Sequence, residues 1–219
     1  MRREGYRMIP HTTTLQATVE RSRLHTFLLC CGIIGSALFA IVNFSFSAIS
    51  ANYDIARQPV GDLEIGKYGW IQSANFIVAG IFLCAFALGL RREMVKGPGA
   101  ISIPALQIFL GLAMLLLGIF THRIIHTPMI FVLFVSILGS FFIFSRRFAM
   151  DKRWEHWSVY TNITGIILLI FFALYMRSNL HHGAYTGIYQ RGVLLTRVIW
   201  NLFFTVRLLA GVRLDPVTE

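Results

Sequence analysis

Apolar runs of membrane-crossing length, broken only by short charged segments, dominate this chain. They cover 24–47, 69–90, 101–121, 128–145, 158–176 and 193–211. Each approaches or exceeds the roughly 20 residues that carry a helix across a ~30 Å hydrocarbon layer. The solvent is therefore a bilayer, and the expected fold is all-α: one bundle of six transmembrane helices. Charged residues are 14% of the chain, against ~25% in soluble domains, so an ordinary soluble core is excluded. Residues 1–23 read as a polar cytosolic N-terminal tail, and 24–219 as the six-helix membrane domain.

The net charge of +10 is a topology signal. With the N-terminus in the cytosol, fourteen Lys and Arg fall inside: Arg2, Arg3, Arg7, Arg21, Arg23, Arg91, Arg92, Lys96, Arg146, Arg147, Lys152, Arg153, Arg207 and Arg213. Five fall outside: Arg57, Lys67, Arg123, Arg177 and Arg191. That asymmetry predicts both termini on the cytosolic side and some attraction to anionic lipid. No basic patch is interleaved with stacking aromatics, so nucleic acid is not an expected partner; membrane lipids are. The run from Phe27 to Phe46 exceeds the ~7–15 residues of a signal-peptide core, so helix 1 is expected to be retained, although Ala48-Ile49-Ser50 loosely resembles a cleavage site.

Cys30, Cys31 and Cys84 all lie within helices. Adjacent Cys30 and Cys31 cannot readily bridge, so no disulfide framework is expected. They read as small packing residues, with acylation of Cys30 or Cys31 as the alternative. Gly32, Ser36 and Ala40 recur every four residues, a stripe that lets helices approach closely. Pro104 and Pro128 are expected in the first turns of helices 3 and 4, where a missing N–H costs little. The loops 48–68, 122–127 and 177–192 are assigned to the outer side.

Polar residues inside the spans must face protein or water. Arg197, Asn201 and Thr205 are four apart on helix 6 and share one face. Gln72 and Asn75 open helix 2, and Asn43, Gln107 and Asn162 lie in helices 1, 3 and 5. Two readings stand: ordinary interhelical hydrogen bonds, or a ligand-binding pocket between helices 2 and 6 formed by Gln72, Asn75, Arg197 and Asn201. All ten acids lie outside the spans, which argues against proton-driven transport. Asp54, Asp62 and Glu64, in the first outer loop, are the nearest acids that Arg197 has.

The histidines supply a second candidate site. His122 and His126 are four apart and share one face if helix 3 continues, and His181 and His182 lie on the same side of the membrane. Three or four imidazoles suit zinc, but the spacing lacks the adjacent Glu of the zinc-protease helix. Haem b is the remaining cofactor to weigh, through His25 and His156 at the cytosolic edges of the spans.

Several of these segments form a recognisable set. Gly69-Trp70-Ile71-Gln72, Asn75-Phe76, Gly80 and the run Ala87 to Arg92 resemble the second helix of the DUF998 membrane proteins. Gly187, Gln190-Arg191, Trp200 and Arg207-Leu208 resemble that family's last helix, and His122 and His126 its histidine pair. The family's acidic Asp-Pro stretch before the histidines is replaced here by Phe120-Thr121. The resemblance implies a six-helix, mostly bacterial integral membrane protein of undefined activity. The leading expectation is binding of a lipid or small lipophile in a bacterial inner membrane. The alternatives are a His-dependent metal enzyme acting on lipid at the outer face, and electron transfer through haem.

Overall fold

The structure, a computed structural model, describes residues 22–121, 123–212 and 214, and the side chains of 123–127 fall outside that description. It contains six long helices: α1 (Arg23–Ile49), α2 (Trp70–Glu93), α3 (Ser102–Ile119), α4 (Arg123–Phe148), α5 (Glu155–Leu180) and α6 (Thr186–Leu209). All six are long and apolar enough to cross a membrane, and the described residues include no strand. Bilayer-exposed faces carry Ile81, Phe109, Ile166 and Phe203, all exposed large apolar side chains. That is the expected inversion where lipid replaces water.

Each helix packs on its neighbour in the chain, and α6 returns to α1, so the six close into a ring. Helices α2 and α6 are not packed on one another; α1 lies between them. The most extensive packing is between α2 and α3. A side chain added at Gly80 would meet the backbone of Gly111, and one at Gly111 would meet Cys84 and the Gly80 carbonyl. Small residues bring helices together where no hydrophobic incentive exists between them. The Gly32 stripe works in the same way: Gly32 lies against Phe86 and Thr205, and Ser36 receives a bond from α6. The three cysteines are free, with Cys31 buried.

The helices overrun the apolar runs at several ends. Most consequentially, α6 begins at Thr186 rather than near 193, and α5 continues to Leu180. The expected loop 177–192 shrinks to a short turn because Gln190 and Arg191, polar in sequence, are buried in a helix. Likewise α4 begins at Arg123, so Pro128 sits inside the helix rather than in its first turn. Glu93 belongs to the last turn of α2, buried beside His25, whose Nε2 is 3.2 Å from its carboxylate.

The two ends of the ring close differently. At the end that holds Arg23 and Leu209, an aromatic cluster fills the interior. Trp200 stacks on Phe204, Phe148 on Trp154, and the Arg207 guanidinium lies 4.8 Å over the Trp154 ring. At the other end, the α1–α2 connection folds across the mouth as a lid. A short 3-10 turn, Val60–Glu64, buries Val60 and Leu63 beneath it.

Candidate functional site: a lidded cavity inside the ring

Between the lid and the aromatic cluster lies a cavity of about 160 Å³. Its walls come from α1, α2, α3, α4 and α6, and Val60 and Gly61 of the lid form part of its lining. Most of that lining is apolar: Phe39, Phe76, Met114, Leu117, Leu133 and Leu194 among others. Arg197 is the only charged residue among the lining residues, and no carboxylate is there.

Because α6 starts at Thr186, Arg197 stands about 16 Å along the helix, close to mid-membrane rather than near the edge. Its Nη2 donates to Oε1 of Gln107 on α3 at 2.7 Å. Phe141 and Trp200 lie 5.9 and 5.7 Å from the guanidinium carbon, close enough for cation–π attraction. Nη1 is buried with no hydrogen-bond partner. Asp54, Asp62 and Glu64 do not reach it: Asp54 faces Arg57, and Glu64 accepts from Ser73 at the lid edge. Among the described residues, therefore, no carboxylate balances this charge.

One turn further along α6, Asn201 donates to the Gly32 carbonyl at 2.9 Å and to Ser36 Oγ at 2.8 Å, while its own Oδ1 has no partner. The structure thus brings Arg197 and Asn201 together in the cavity wall. Gln72 and Asn75 do not join them. Asn75 donates to the Phe39 carbonyl at 3.2 Å, a helix-to-helix tie. Gln72 is fully buried with both amide atoms unpartnered, near the lid end of α2. These two sit about 3 and 8 Å into α2, well above the level of Arg197. The cavity lining thus includes Arg197 and Asn201 of the four residues expected together, but not Gln72 or Asn75, and Gln107 of α3 is the side chain that Arg197 bonds.

The residue that sequence reasoning missed is Arg191. It is 4% exposed and binds the lid from beneath. Nη1 donates to the carbonyls of Ile55, Gln58 and Gly187, and Nη2 to Ser47 Oγ and Tyr53 Oη. Gln190 adds an acceptor for the Val60 N–H at 2.7 Å, and the Gly187 N–H donates to the Ala56 carbonyl at 2.8 Å. Gly187 has to be glycine here, since a Cβ would run into the carbonyls of Ile55 and Gln58. The available signal was the 3.6-residue spacing of Gly187, Arg191 and Leu194–Leu195, which continues the helix 6 pattern upstream.

The histidine grouping is not assembled by the described residues. His122 lies outside them, as does the side chain of His126. Helix α3 stops at Ile119 and does not continue through the pair. His181 and His182 are exposed in the turn after α5, and no cluster of three metal-binding side chains occurs among the described residues. For haem, His25 on α1 engages Glu93, while His156 is exposed on α5, with α6 between the two helices.

A ring of six apolar helices with a lidded interior defines a multi-pass membrane protein. The chain belongs to the family described as Protein of unknown function (DUF998), which matches residues 33–207. No curated protein and no solved structure matches it significantly.

Proposed function

We propose that this protein binds a membrane lipophile, a lipid chain or small amphiphile, inside the ring of helices. The cavity carries this reading. Apolar cavities of ~150 Å³ take up small apolar molecules, and this one is of that size, bounded by Phe39, Phe76, Leu117 and Leu133. The surrounding bilayer supplies the ligand, so membrane lipids are the partner. The membrane is a bacterial inner membrane, with both termini in the cytosol and the lid outside. The positive-inside bias of Arg91, Arg92, Arg146, Lys152 and Arg153 supports that orientation.

Native mass spectrometry of the purified protein tests it. Wild type is expected to carry a lipophile, or to take up added decanol. Ala79→Phe, which fills the cavity wall, is expected to carry none while melting at or above the wild-type temperature, as cavity-filling changes do. Wild-type protein that carries none and takes up none contradicts the reading.

A further inference from the structure

We infer that the cavity selects a singly charged carboxylate with one alkyl chain, its head at Arg197 and its tail toward the lid. The inference rests on the cavity reading above and adds charge and orientation to it.

Charge balance comes first. Arg197 brings the only formal charge among the lining residues, with no carboxylate beside it. One guanidinium in a low-dielectric interior is balanced by one negative charge; a dianion would leave an excess that is costly to bury. Donor geometry comes second. Gln107 holds Nη2 and fixes the guanidinium plane, and the two rings hold its face. Nη1 is left as a buried donor with no partner. A planar carboxylate meets guanidinium N–H groups in paired fashion and supplies what Nη1 lacks. Space comes third. A volume of about 160 Å³ suits one alkyl chain.

Orientation follows from where the lining changes character. Asn201 and Ser36 lie beyond Arg197, toward the aromatic cluster. Toward the lid the walls are Phe39, Phe76, Leu117, Met114 and Leu194, with Val60 among them. From Arg197 to the level of Leu117 this apolar stretch runs roughly 13 Å, judged from the rise of α3 and α6. The tail therefore ends beneath Val60.

Equilibrium dialysis of labelled decanoate, decanol and decyl phosphate against the full chain in lipid nanodiscs tests this, with empty nanodiscs subtracted. Wild type should bind decanoate about tenfold or more tighter than decanol, as a charge-assisted contact implies, and tighter than decyl phosphate. Arg197→Gln should bring decanoate down to the decanol level. Gln107→Glu keeps the arginine and neutralises it internally. It should remove the decanoate preference in the same way, which covers the case where Arg197→Gln fails to fold. If either folded variant retains the decanoate preference, or wild type prefers decyl phosphate, the charge assignment is overturned. The cavity reading fails separately, if Ala79→Phe leaves both decanoate and decanol bound in full.

Discussion

Arg197 of α6 and Gln107 of α3 meet across the ring at 2.7 Å, about 16 and 18 Å below the lid ends of their helices. These helices do not pack directly on one another, so the bond spans the interior and fixes the level at which the cavity turns polar. Gln107→Leu should therefore destabilise the protein by about 1–3 kcal/mol, because it strips an intramembrane cation of its side-chain acceptor among the described residues. Arg197→Leu with Gln107→Leu should recover most of that loss, since the two partners vanish together. A double-mutant cycle by thermal unfolding in detergent measures the coupling. Additive losses would mean the contact contributes nothing.

The lid depends on Arg191 and Tyr53, whose hydroxyl accepts from Arg191 and faces the carbonyls of Gln58 and Pro59. Arg191→Leu should cost about 3 kcal/mol, in the range for removing one partner of a buried charged network, and should speed amide exchange across residues 51–69. Arg177→Leu, at an exposed position, should fall within about 0.5 kcal/mol of wild type. Burial holds the Tyr53 phenol above its ordinary value, while its bond to Arg191 pulls the other way. A raised pKa in the folded state means that folding favours the neutral phenol. That contribution is complete below the ordinary value near ~10 and is lost as pH climbs through the raised one. A phenolate absorbance difference between wild type and Tyr53→Phe should rise only above the ordinary tyrosine range.

Gly111 and Gly139 form a matched pair. Gly111→Ala forces a methyl against Cys84 and the Gly80 carbonyl, so it should cost about 1–3 kcal/mol, the usual penalty of overpacking. At Gly139 the nearest neighbour is Leu106 at 3.9 Å, so alanine fits and should stabilise α4 by about 0.5–1 kcal/mol. Equal effects on melting temperature would refute the close approach of α2 and α3.

Reporter fusions check the orientation. Fusions after Arg92, Arg153 and Glu219 should report the cytosol, and fusions after Gln58, His126 and Tyr185 the exterior. A cytosolic signal after Tyr185 would break the six-span topology.

The spans were legible because lipid leaves a chain little choice: an uninterrupted apolar run must be helical. The shared face of Arg197 and Asn201 was legible because helical spacing is local. What escaped was whatever depends on which helices are neighbours. Gln107 was visible as an intramembrane amide, but nothing in its surroundings tied it to Arg197. The apolar run puts the start of helix 6 near 193, which places Gln72, Asn75 and Arg197 at one depth. The true start at Thr186 moves Arg197 deeper by about 10 Å, beyond their reach. Arg191 was assigned to a loop because an arginine beside an apolar run reads as solvated. Three of its five partners are backbone carbonyls, which no side-chain pattern announces.

The most direct test of the account is where a lipophile sits. Crystals of the protein grown with bromine-tagged decanoate should give an anomalous bromine peak inside the ring, bounded by Phe39, Phe76, Leu117 and Leu194 under Val60. Bromine confined to the bilayer-facing surface beside Ile81, Phe109 and Phe203, with the interior empty, would contradict it.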